Sequence, residues 1–104
     1  MEKFRNNKFR INWPYSKPLD PENEAVDVRL TTQEGDEYSA NFITMKLISY
    51  LFKKNKRTGE FAGGTYFCMP GMIIVERITD ENIKRTIDCL IKDYSLEHYF
   101  TKIG

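Results

Sequence analysis

Cys68, Cys89 and His98 are the side chains of this chain with the widest chemical repertoire, and their surroundings decide what they can do together. A thiolate nucleophile needs a base and a group that orients the base. His98 is the one histidine, set between Glu97 and Tyr99 in an amphipathic tail. Cys68 stands near a glycine-rich turn, yet no strand–turn–helix elbow of the G-x-S-x-G kind surrounds it. The two cysteines show neither C-x-x-C spacing nor the dense, even pattern of a disulfide scaffold, and read as small buried thiols. With one imidazole available, a zinc site would need carboxylates to complete it. The expectation is a non-enzymatic protein without metal or cofactor.

Gly59, Gly63 and Gly64 in the segment Arg57-Thr58-Gly59-Glu60-Phe61-Ala62-Gly63-Gly64 raise the question of a phosphate cradle. That mechanism needs glycine N–H groups leading into a helix N-terminus, whereas this segment follows a helix and leads toward a strand. A helix stop followed by a loop is the reading. The alternative function is a small-molecule binder or minor enzyme that uses residues 58–64 as a lid over the sheet, above a pocket holding Tyr66, Cys68 or His98.

Charge is segregated along the chain although the total is only +1. The first surface expected to meet a protein partner is the acidic set Asp20, Glu22, Glu24, Glu34, Asp36 and Glu37, and the second is the basic set Lys53, Lys54, Lys56 and Arg57. Phe4, Phe9, Trp13 and Tyr15 beside the basic N-terminus could stack on bases, but a near-neutral chain lacks the dominant basic face of a nucleic-acid binder. Nucleic acid is the third and weakest reading.

The elements that must position these groups follow from periodicity. Phe9, Ile11 and Trp13 alternate with Arg10 and Asn12 and predict a short strand, with residues 1–8 as a flexible arm. Lys17 to Glu24, with Pro18 and Pro21, predicts a loop. Val26, Val28 and Leu30 face Tyr38, Ala40 and Phe42 across a hairpin if its loop is Gln33-Glu34-Gly35. That register joins both apolar rows on one face and puts Gly35 at the left-handed position of a type I turn with a G1 bulge.

The first helix is expected from Met45 to about Lys56 with Gly59 as its stop, and the second from Asp80 to about Asp93. Ile43-Thr44 and Ile78-Thr79 write the same start twice: a threonine N-cap, preceded by an isoleucine that staples to Ile48 or Ile83. Thr65–Met69 and Met72–Ile78 are expected to form a second hairpin turning at Pro70-Gly71, with apolar Met72–Val75 as a covered central strand. The tail from Ser95 should dock as a short turn. The prediction is one α+β domain over 1–104: an antiparallel sheet of four or five strands in ββαββα order, with two helices packed on one face.

A chain of 104 residues can bury one core without metal or disulfide support, and its 40% apolar content supports one. It contains no apolar run of spanning length and no h-region behind the basic N-terminus. The cytoplasm is the expected location, with no membrane partner. Trp13-Pro14, Val26-Asp27-Val28, Gly35, Tyr38-x-Ala40-x-Phe42, Thr58-Gly59-Glu60, Gly64-x-Tyr66-Phe67 and Met72-Ile73-Ile74-Val75-Glu76 together resemble a family of small, standalone bacterial proteins of uncharacterised activity. Some proteins of that general kind are suspected immunity proteins. The resemblance covers about residues 13–94 and implies a chain that binds and blocks another protein, such as a toxin; it brings no catalytic residues with it.

Overall fold

The computed structural model describes residues 2–13 and 20–104. A 3-10 turn at Glu2–Phe4 precedes β1 (Lys8–Asn12), β2 (Ala25–Thr31) and β3 (Glu37–Thr44), which form an antiparallel meander. β3 runs straight into helix α1 (Met45–Thr58), followed by a short turn α2 (Glu60–Gly64) and strand β4 (Met72–Val75). Helix α3 (Asp80–Lys92), the short α4 (Leu96–Tyr99) and β5 (Thr101–Lys102) complete the chain. The α+β class and the five-stranded sheet agree with expectation.

The first hairpin has the expected register. Leu30 lies opposite Tyr38, Val28 opposite Ala40 and Val26 opposite Phe42, and Gly35 has φ of +94°. All six apolar side chains are buried on one face, where they meet Ile83 and Ile87 of α3 and Leu96 and Phe100 of the tail. Phe9, Ile11 and Trp13 pack against the same core from β1. Residues 1–8 do not behave as an arm where they are described: Phe4 enters this core and packs edge-on against Tyr38, while Lys3 pairs with Glu97 of α4.

Both threonines cap as expected. The Leu47 N–H donates to the Thr44 hydroxyl at 3.4 Å and the Asn82 N–H to that of Thr79 at 3.0 Å. α1 stops at Gly59, whose φ of +85° turns the chain out of the helix.

The second half departs from expectation at three points. Residues 65–69 form no strand, and β4 pairs parallel to β3, with Phe42 beside Ile73 and Ile43 beside Ile74. A parallel partner needs a long crossover, and residues 45–71 supply one. β4 is therefore not a covered central strand. Among the described residues it has no neighbour on its outer side, and Ile74 is 49% exposed. Ile73 and Val75 face α3 while Met72 and Ile74 face the other way, so the unbroken apolar run does not mark burial on both faces. Last, of the two expected helices only α3 packs on the contiguous core, joined there by Leu96 of α4, while α1 contributes no side chain to it. β3 spans about 27 Å and α1 about 21 Å, in a molecule whose longest extent is 47 Å.

The segment after α1 folds back along it. In α2, Phe61, Ala62, Gly63 and Gly64 all have positive φ, between 52° and 78°, so α2 is a left-handed turn. The Gly63 N–H donates to the Gly59 carbonyl and the Thr65 N–H to that of Phe61. Gly64 lies so close to α1 that a Cβ there would stand 2.8 Å from the Phe52 carbonyl oxygen.

Candidate binding surfaces

α1 carries the most coherent charged face. Lys46, Tyr50, Lys53, Lys54 and Arg57 follow one another at i, i+4, i+7, i+8 and i+11, which places them on one stripe about 16 Å long. Ile48 and Asn55 point the other way and are buried. Tyr50 sits at the middle of the stripe, 52% exposed. Lys46 reaches Asp20 at 2.7 Å and Lys54 reaches Glu60 at 3.4 Å. Among the described residues, Lys53 and Arg57 form no ion pair. Lys56, expected in the same basic set, is on another flank, with its Cγ against Gly64.

The local electrostatics follow these pairs. The Lys46 ammonium, and after it the Glu22 N–H, hold the Asp20 carboxyl below the usual carboxylate range, and Asp20 in return raises Lys46. The Thr58 hydroxyl, then Lys54, lowers Glu60.

The acidic set does not form one surface. Asp20, Glu22 and Glu24 lie before β2, while Glu34, Asp36 and Glu37 lie beyond its other end, with the seven-residue strand between them. Most are already engaged. Asp20 pairs with Lys46, Glu22 approaches Arg77 at 3.9 Å and Asp36 approaches Lys102 at 3.8 Å. The Glu24 carboxylate accepts the Ala25 N–H, and the Glu37 backbone is tied to Ile103 and Gly104. Glu34 alone projects at the hairpin tip, beside a cleft shared with Lys3, Arg5 and Gln33. The part of the 17–24 loop at residues 17–19 lies outside the described residues, as does Tyr15.

The candidates for chemistry remain apart. Cys68 and Cys89 are both exposed, contrary to the expectation of buried thiols. Cys68 misses burial because its segment is not a strand, and Cys89 because it lies on the outer face of α3, where its thiol stands 3.7 Å from an Asp93 carboxylate oxygen. No group of metal-ligating side chains occurs among the described residues. An open apolar groove of about 360 Å³ runs between β4, α3 and α4, lined by Met72, Ile73, Ile74, Thr86, Leu90 and Tyr99. Tyr66, Cys68 and His98 are not part of it. The glycine segment packs on α1 and forms no lid over the sheet.

Sequence reasoning missed one feature. β1 pairs with β2 so that Arg10 stands directly opposite Arg29, on the face away from α3. Alternation in β1 implied which way Arg10 points, but its partner depended on a register that no short turn fixes. Among the described residues no helix is long and apolar enough to cross a membrane. No family model matches the chain, nor does any curated protein or solved structure.

Proposed function

We propose that this chain is a non-enzymatic binding protein that docks onto another protein of acidic surface through the cationic face of α1. The observation that carries the reading is the stripe itself: a half-exposed tyrosine ringed by lysines and an arginine, two of them without an ionic partner among the described residues, on a helix that buries Ile48 and Asn55 on its other side and adds no side chain to the contiguous core cluster. Tyrosine and arginine dominate binding hot spots, and a ring of uncommitted cations steers an acidic partner toward them. The outer side of α1, opposite the buried Ile48 and Asn55, is free to be covered by a partner. Inhibition of a toxin in the bacterial cytoplasm, the immunity-type activity that the resemblance suggests, is one form this function takes.

The test starts from the protein as bait in a bacterial lysate, with capture compared between the natural chain and a K53E/R57E variant. The purified partner's association rate should fall about tenfold or more at low salt in that variant, and Y50A should raise the dissociation rate. Reversing Glu34, Asp36 and Glu37 to lysine should leave both rates unaltered. An association rate at low salt that ignores K53E/R57E would remove α1 as the docking face. Retention on heparin, with tighter binding of a single-stranded oligonucleotide than of any captured protein, would move the function to nucleic acid.

A further inference from the structure

The face of the sheet turned away from α3 carries a feature that works against folding. Arg10 of β1 and Arg29 of β2 are direct cross-strand partners. Directly opposite side chains in an antiparallel pair have Cβ atoms about 4.5–5.5 Å apart, and like charges at that distance destabilise the pair. Lys8, two residues before Arg10, adds a third cation to the same face. The compensation present is small. Asp27 accepts a bond from Arg29 Nε at 3.0 Å and another, at the same oxygen, from Asn12 Nδ2 at 2.9 Å. Among the described residues, that leaves the outer nitrogens of Arg29 without a partner. Among the described residues Arg10 and Lys8 have no ionic partner, and both are exposed. Glu37, the other carboxylate that β1–β3 place on this face among the described residues, lies two strands from Lys8, beyond Thr31.

We infer that this open face of β1 and β2 is a carboxylate-binding surface, with Arg10 and Arg29 as its paired guanidinium groups, for an extended acidic segment of a protein. Charge complementarity sets the sign of the occupant, and the fork of each guanidinium matches a carboxylate through two parallel hydrogen bonds. Spacing sets its form: Lys8 and Arg10 are about 6.8 Å apart along the strand, the repeat of alternate carboxylates on an extended chain. The face does not suit a nucleic-acid strand. Phe9, Ile11 and Trp13 all turn to the core, so no ring from β1 or the residue after it is left for stacking on bases. This surface belongs to the sheet and stands independently of the reading given to α1.

The sign of the free-protein effect makes the test specific. Arg10→Glu turns a repulsive pair into an attractive one, so the urea midpoint of the variant should rise. Its binding of a fluorescent poly-glutamate peptide, followed by anisotropy at constant ionic strength, should weaken by about tenfold. Arg10→Gln should give an intermediate loss with a midpoint no lower than the parent's. In a K53E/R57E background the same tenfold ratio should persist, which separates this face from α1. A lowered midpoint in both Arg10 variants would make Arg10 a structural contact and overturn the inference. So would peptide binding that is unchanged by Arg10→Glu, or an oligonucleotide that binds this face more tightly than the peptide.

Discussion

Ala62→Gly should stabilise this protein, although an alanine-to-glycine change in a hydrogen-bonded turn ordinarily does the reverse. Ala62 sits at φ 53° and ψ 46°, inside a turn where all four residues from Phe61 to Gly64 are left-handed. A Cβ in that conformation costs about 1–2 kcal/mol through its contact with the following carbonyl oxygen. Glycine escapes that cost but gives up about 0.5–1 kcal/mol by making the unfolded chain more flexible. The methyl group is exposed, so its removal loses little burial. The balance is a gain of about 0.5–1 kcal/mol, read as a urea midpoint higher by about 0.5 M at an unchanged slope.

Gly64→Ala should act in the opposite direction from two residues away. Its new Cβ would meet the Phe52 carbonyl oxygen at 2.8 Å and the Lys56 nitrogen at 3.0 Å, backbone atoms that cannot swing aside, at a φ of +78°. The loss should exceed about 2 kcal/mol, because the close approach adds to the left-handed cost. If Ala62→Gly lowers the midpoint while Gly64→Ala leaves it in place, the left-handed turn and its seat on α1 are both refuted.

Three further outcomes are expected. Thr79→Ala should cost about 1 kcal/mol as a lost N-cap, whereas Thr44→Ala should cost about 2–3 kcal/mol by chemical denaturation, because the Thr44 hydroxyl also accepts the Glu24 N–H at 3.1 Å and its removal strands that donor. Phe4→Ala should cost about 3–5 kcal/mol, the price of a core ring, where loss of a residue from a flexible arm would cost nothing measurable. Asp20→Asn should flatten the acid side of the stability profile: a carboxylate held low in the folded state stabilises above its unfolded value near pH 4 and loses that contribution as pH falls through the lower folded value. An acid limb identical to the parent's, in a titration of the urea midpoint below about pH 4, would show that the Lys46–Asp20 pair does not couple to folding.

What could be seen in the residues was whatever adjacent residues decide. The hairpin register followed from matching two apolar rows across a three-residue turn, with Gly35 at the one position needing positive φ. Both N-caps and the Gly59 stop followed from the first and last turns of each helix, where unpaired N–H and C=O groups demand local partners. The candidate site was legible in part. The basic set Lys53, Lys54, Lys56 and Arg57 at the end of α1 could be named, but that Tyr50 shares its stripe and Lys56 leaves it emerges only when the helix is wound and the following segment folds back on it.

Longer-range choices were made by the tertiary structure. Met72–Val75 reads as a covered strand because it is apolar throughout, yet it became an edge strand parallel to β3, since the crossover through α1 carries it there and two of its four side chains can meet the core. The acidic residues fall within one net-negative stretch of the chain, yet the extended strand β2 holds its two groups, 20–24 and 34–37, at opposite ends. Arg10 and Arg29 are nineteen positions apart in sequence and face each other only because β1 and β2 settle into one register. Local chemistry thus wrote the elements and their ends, while pairing between distant strands decided which charges meet.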